Sequence, residues 1–171
     1  MPRANRNGTG RKSRDAFASA ALLLTSVFIL AGPAQAENDT GVVKGTAQVI
    51  DARTLAIDGR NISLYGVTTP RMSDWPWGPF ARAALDELAH GKPVSCLVIE
   101  TDRHRQPVAR CNVPGDSLVG EKTLGEAMIR AGWATHHRLA THGRAPAGLI
   151  DRYDDAEDAA RSEKVGIWGL K

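Results

Sequence analysis

Three arginines, Arg53, Arg71 and Arg105, are the residues of this sequence best suited to chemistry at a surface. Each guanidinium is permanently charged and offers a planar fork of donors that matches the oxygens of phosphate or carboxylate. Brought together, they would form an anion-binding mouth. An aspartate stands near each in the chain (Asp51, Asp74 and Asp102), so the competing expectation is three ordinary surface pairs. Trp75 lies close to Arg71 and could stack a base or a sugar, or could instead help seat a helix. For Trp77 the packing role is expected. His136, His137 and His142 invite a transition-metal reading. Adjacent histidines in a polar loop are expected to be solvated, and no Cys-x-x-C or Cys/His spacing frames a zinc site. No metal centre is expected.

The only two cysteines are Cys96 and Cys111. They flank Glu100 to Pro107, which reads as a hairpin turning at Arg103-His104. That turn sets opposite each other residues whose numbers add to 207, as those of Cys96 and Cys111 do. A disulfide is feasible between such neighbours, and in the chain-entropy picture it contributes ~3 kcal/mol. The alternative is a reduced, buried pair; an oxidising compartment favours the bridge.

These groups need elements to hold them. Gln48 to Arg71 reads as strand, turn, strand, turn and strand, ending in a threonine-rich corner. Val49, Leu55, Ile57, Ile62, Leu64 and Val67 are its apolar positions, with Asp58-Gly59 a strong hairpin signal. A strand over Val42 to Ile50 precedes it, and Gly45 there suggests a bulge or bend. A helix is expected from about Pro79 to His90, with Phe80, Ala84, Leu85 and Leu88 on its apolar face. Strands over Pro93–Glu100 and Pro107–Val113 form the cysteine hairpin. Further helices are expected over Thr123–Ala131 and Leu149–Lys164, with the histidines in a polar loop between them.

At 171 residues the chain suits one domain with a real core. Its first part has a different character. Arg3, Arg6, Arg11, Lys12 and Arg14 lead into an apolar run from Ala16 to Ala31 and then Ala34-Gln35-Ala36. This is the layout of a secretory signal peptide over 1–36, cleaved after Ala36, with a mobile lead-in over 37–42 and the domain over 43–171. A retained membrane anchor is the alternative; after cleavage no membrane span is expected. The whole chain carries a formal charge of +3, but residues 37–171 hold 17 basic and 18 acidic side chains. Whole-molecule attraction for a polyanion is therefore absent, and only a local basic patch could supply it.

Val49-Ile50-Asp51-Ala52-Arg53-Thr54-Leu55 and Ser63-Leu64-Tyr65-Gly66-Val67-Thr68-Thr69-Pro70-Arg71 resemble two blocks of the thermonuclease, or staphylococcal-nuclease-like, family. There the pattern reads V-x-D-G-D-T-L and then R-L-x-G-I-D-T-P-E. Leu124 to Ala134 is similar to the family's helix that closes the barrel bottom, and Val165-Gly166-Ile167-Trp168 to its C-terminal signature. The resemblance runs from about Val43 to Trp168. It implies a mainly β, α+β domain: a five-stranded OB-fold barrel with three helices.

It also implies a calcium-dependent phosphodiesterase, and here the residues depart from the pattern. In the family two aspartates and a threonine carbonyl hold the cation, a glutamate is the proposed base and two arginines clamp phosphate. The aspartate positions fall at Arg53 and Thr68, the carbonyl at Thr69, the glutamate at Arg71, and the arginines at Ser63 and Gln106. Gln106 lies within Asp102-Arg103-His104-Arg105-Gln106-Pro107, where the family reads D-R-Y-G-R-x. Arg105 is one position early, which on an extended arm turns it to the other face unless a bulge or distorted turn restores it.

The expectation is a secreted or periplasmic, monomeric domain of this family with no intact catalytic set and no calcium cofactor, acting as a binding or structural module. The first alternative is an active metal-dependent endonuclease acting on DNA or RNA. The second is an anion or oligonucleotide binder using Arg53, Arg71 and Trp75. The physiological ligand and partner are not named by the sequence.

Overall fold

A computed structural model describes residues 41–116, 122–138 and 145–169; the expected leader, most of the lead-in and His142 lie outside them. Strands β1 (Val42–Val49), β2 (Thr54–Ile57) and β3 (Arg60–Leu64) run as a meander, followed by the short β4 (Val67–Thr68). Helix α1 (Trp77–Ala89) leads to β5 (Pro93–Thr101) and β6 (Pro107–Asn112). Then come α2 (Leu124–Arg130), β7 (Thr135–His136), α3 (Leu149–Glu163) and a 3-10 turn at Gly166–Trp168. The five long strands close into a barrel in the order β1-β2-β3-β6-β5, while β4 and β7 pair apart from it. All barrel pairings are antiparallel except β3 with β6. This is the expected five-stranded α+β barrel with three helices.

The β2–β3 hairpin forms where the sequence asks for it. Asp58 and Gly59 both have positive φ, 50° and 77°, which matches the right-handed twist of the strands they join. Leu55, Ile57, Ile62 and Leu64 are buried. Gly45 marks neither a bulge nor a break, because β1 pairs with β5 in unbroken register from Val42 to Thr46. It is a close-approach position: a Cβ there would lie 2.7 Å from Ile57 Cγ2.

Cys96 does oppose Cys111, and the two form a disulfide with a Cα–Cα distance of 4.0 Å. The register that aligns them ends at a bulge: Val98 opposes Ala109, but Glu100 opposes Val108. The extra residue, Ile99, moves the turn onto Asp102–Gln106 rather than a tight turn at Arg103-His104.

Helix α1 starts at Trp77, earlier than expected. Pro79 fits its first turn because the first amides of a helix have no partner in the helix. Its buried positions are Gly78, Ala81, Leu85 and Ala89, whereas Phe80 is half exposed and touches Trp133 with ring centroids 6.0 Å apart. Leu85 of the expected face is buried, and Ala84 and Leu88 are half-buried and pack against the core; the buried stripe adds the small residues Gly78, Ala81 and Ala89, which let the helix lie close.

Thr123 is the N-cap of α2, its Oγ1 accepting from the Glu126 amide at 3.0 Å. Buried Tyr153 of α3 donates to the Tyr65 carbonyl at 3.3 Å and lies 3.1 Å from Thr123 Oγ1. Burial pushes its phenol up to about 12, because the phenolate would lose its water. One hydroxyl thus ties α3 to the cap of α2 and to the end of β3.

Reduction of the Cys96–Cys111 bridge is expected to lower stability by ~3 kcal/mol, from the chain entropy of the loop it closes. Urea unfolding with and without reductant measures it.

Candidate functional site

Arg53 lies in the turn between β1 and β2. Asp51 builds that turn: its Oδ1 accepts from the Arg53 and Thr54 amides, each at 2.8 Å. On the facing side, β4 ends at Thr68 and the chain continues through Thr69 and Pro70 to Arg71. The two segments enclose a cleft of about 340 Å³ lined by Asp51, Ala52, Arg53, Thr68, Thr69, Pro70, Arg71 and Met72. Positions far apart in the chain, 53 with 68, 69 and 71, therefore meet in one cleft.

The positions of the two phosphate-clamping arginines also meet. Gln106 Nε2 donates to Ser63 Oγ at 2.6 Å. The two side chains found there are neutral and bonded to each other. Beside them is a smaller pocket of about 180 Å³ that shares Arg53 and is walled by Ser63, Glu100, Asp102 and His137. Sequence reading had not singled out Glu100 or placed His137 here. Both come into range only through the bulge in β5 and the pairing of β4 with β7.

Arg105 belongs to neither cleft lining. It sits in the β5–β6 turn with φ of 61°, at the position where the family pattern has glycine. Asp102 holds this turn: its Oδ1 accepts from the His104 and Gln106 amides at 2.8 and 2.9 Å, and its carbonyl from the Arg105 amide at 3.0 Å. The Gln106 amide, with lesser help from His104 and Arg103, holds the Asp102 carboxyl below its usual range despite an opposing effect of burial.

The expected surface pairs do not form. Asp51 and Asp102 turn their carboxylates to backbone amides, as does Asp74, whose Oδ2 accepts from the Arg71 amide at 2.8 Å. Among the described residues Arg53, Arg71 and Arg105 have no ion-pair partner. Trp75 is 79% exposed, and Trp77 is half-buried at the start of α1.

The histidines separate. His136 lies in β7 with its side chain fully buried, Nδ1 2.8 Å from Asp154 Oδ1 and its ring edge-on to Tyr153. Its backbone amide donates to Glu157 Oε2 at 2.6 Å. His137, just past the end of β7, is exposed. The solvated-loop expectation thus holds for His137 and fails for His136; the pairing of two-residue β7 with β4 had no signal in the sequence. Among the described residues no three His, Cys, Asp or Glu side chains are placed to hold a metal ion, and no helix is long and apolar enough to cross a membrane.

Residues 61–169 match the family described as Staphylococcal nuclease homologue. Arg53 precedes that stretch; the other five aligned positions lie within it. A probable endonuclease lcl3 of Pyrenophora tritici-repentis is 32% identical over 113 residues, which is 63% of this chain and 41% of the relative. Endonuclease Htp3 of Saprolegnia parasitica is 27% identical over 135 residues, 78% of this chain and 60% of the relative. The probable endonuclease LCL3 of Komagataella phaffii is 26% identical over 136 residues, covering 77% and 58%. The chain spans less than two thirds of the length of these relatives.

Two variants test the turn. Arg105→Gly is expected to stabilise the fold by about 1 kcal/mol, since glycine carries no penalty for a left-handed backbone. Asp102→Ala is expected to destabilise it in a pH-dependent way. A carboxylate lowered on folding contributes fully above its unfolded pKa near ~4, and the contribution fades as pH falls through the lower folded value. Denaturation midpoints of wild type and variant should therefore converge in acid.

Proposed function

This chain belongs to the staphylococcal nuclease homologue family, and on that premise we propose that it is a secreted or periplasmic member whose domain binds a ligand without cutting it. The observation that carries the reading is the exchange of charge at the aligned positions. Arg53 and Thr68 stand for the two metal aspartates, Arg71 for the glutamate, and the Ser63–Gln106 hydrogen bond for the phosphate clamp.

Calcium takes six to eight oxygen ligands, carboxylates foremost. Among the described residues the one carboxylate lining the larger cleft, Asp51, has an oxygen engaged by two amides. Each guanidinium at ~4 Å from a divalent cation would oppose it by roughly 2 kcal/mol even at the dielectric constant of water. These residues do not fit the family's metal. Without it the domain also lacks a positioned base, a group typically worth ~10²–10⁴ in rate. Secretion is supported by the disulfide and by the layout of residues 1–36.

The names of the relatives favour a second reading, an endonuclease, for which the family resemblance implies metal dependence. A third, an anion or oligonucleotide binder, is favoured by Arg53 and Arg71, which line one cleft with no ion-pair partner among the described residues, and by the exposed Trp75 close to Arg71 in the chain.

Protein expressed from the full chain, offered single-stranded DNA and RNA with calcium, magnesium, manganese or chelator, decides between binding and cutting. No chelator-sensitive cleavage is expected to co-purify with it. Cleavage that does so, and that chelator abolishes, would establish the endonuclease reading instead.

A further inference from the structure

Building on the non-catalytic binding reading, we propose that the cleft between Arg53 and Arg71, with Trp75 beside it, docks an acidic peptide segment in which carboxylates flank an apolar side chain. The guanidiniums are the first reason. Both line the cleft, and among the described residues neither has an ion-pair partner. The Thr68 and Thr69 hydroxyls add donors, and among the described residues Asp51 is the only acid in the lining. Such a cleft matches carboxylate oxygens, which a guanidinium can hold with two parallel hydrogen bonds.

The loop from Arg71 to Gly78 is the second. The Asp74 amide donates to the Arg71 carbonyl at 2.9 Å and the Gly78 amide to the Asp74 carbonyl at 2.8 Å, while Asp74 Oδ2 returns to the Arg71 amide. A Cβ at Gly78 would fall 1.9 Å from the Arg71 carbonyl oxygen, so the start of α1 lies directly against Arg71. A backbone tied in this way loses little freedom on binding. It carries Met72, 45% exposed, which lines the cleft, and three residues further on Trp75, 79% exposed. Tryptophan, methionine and arginine are the types enriched at the centres of protein interfaces.

Charge along the surface favours a short acidic peptide over a polynucleotide. Non-specific binding of single strands needs a basic groove that tracks many phosphates. Here Arg53 also borders the smaller pocket, whose walls include Glu100 and Asp102, and a phosphate chain continuing past Arg53 would meet both carboxylates. Residues 37–171 carry 17 basic and 18 acidic side chains, so no excess of positive charge compensates. A peptide can place its acids at the two arginines and end there.

Selection from a random heptapeptide library on beads, using protein expressed from the full chain, tests this. Wild type should enrich peptides that combine two or more acidic residues with an aromatic or large aliphatic one. A resynthesised winner should bind at least tenfold more weakly to the Arg53→Ala, Arg71→Ala double variant and about tenfold more weakly to Trp75→Ala. The double lysine variant, which keeps charge but loses the forks, should fall between wild type and the alanine pair. A pool without the acidic signature, or the same pool on the double alanine variant, overturns the proposal. Tighter binding of oligodeoxythymidylate than of the peptide also overturns it, while leaving a binding module. Chelator-sensitive cleavage of that oligonucleotide would remove the binding reading itself.

Discussion

Closure of the barrel between β3 and β6 is the constraint on which the rest depends. It is the one parallel seam in the sheet and a short one, pairing Ser63 with Val108 and Leu64 with Ala109 and extended by the Tyr65 amide donating to Ala109 at 2.9 Å. Without it the meander β1–β3 and the hairpin β5–β6 would meet only through β1. With it, Gln106 comes to Ser63, and the β3–β4 corner comes under α3, where the Tyr153 hydroxyl reaches the Tyr65 carbonyl. Parallel pairing cannot be made by a tight turn, so the long excursion through α1 is a structural requirement.

The separation of scaffold from rim explains how such a domain can keep its shape while its reactive positions change. Leu55, Ile62, Leu64, Val67 and Ala109 are buried in the barrel core. Arg53, Thr68 and Arg71 are exposed at the ends of those same strands. Replacing a rim carboxylate by a guanidinium leaves core packing untouched, because the side chain ends in water. The same replacement inverts the field in the cleft, so an opening suited to a cation becomes one suited to an anion.

The turns around the site are built by aspartates that serve the backbone. Asp51, Asp74 and Asp102 each accept from main-chain amides close by in the chain, and this fixes where Arg53, Arg71 and Gln106 emerge. It also leaves the guanidiniums without those carboxylates as partners. Proximity in sequence suggested ion pairs; local hydrogen bonding, which closes a turn at shorter range and with less entropy to lose, took the carboxylates first.

Much of this protein was legible in its amino acids. The alternation through Leu55-Ala56-Ile57 and Ile62-Ser63-Leu64, the Asp58-Gly59 turn and the facing of Cys96 and Cys111 are local or nearly so, and each sets geometry over a few residues. The bulge at Ile99, the left-handed Arg105, the burial of His136 against Asp154 and the half-exposed Phe80 were not. Each depends on which surface the barrel brings against that residue, and periodicity alone does not carry that information. So the chain by itself determined its long strands, its disulfide and the cationic side chains, Arg53 and Arg71, that flank them. Only the closed barrel decided that Arg53 and Arg71 face one cleft and Arg105 does not, because residues remote along the chain become neighbours only when the sheet meets itself.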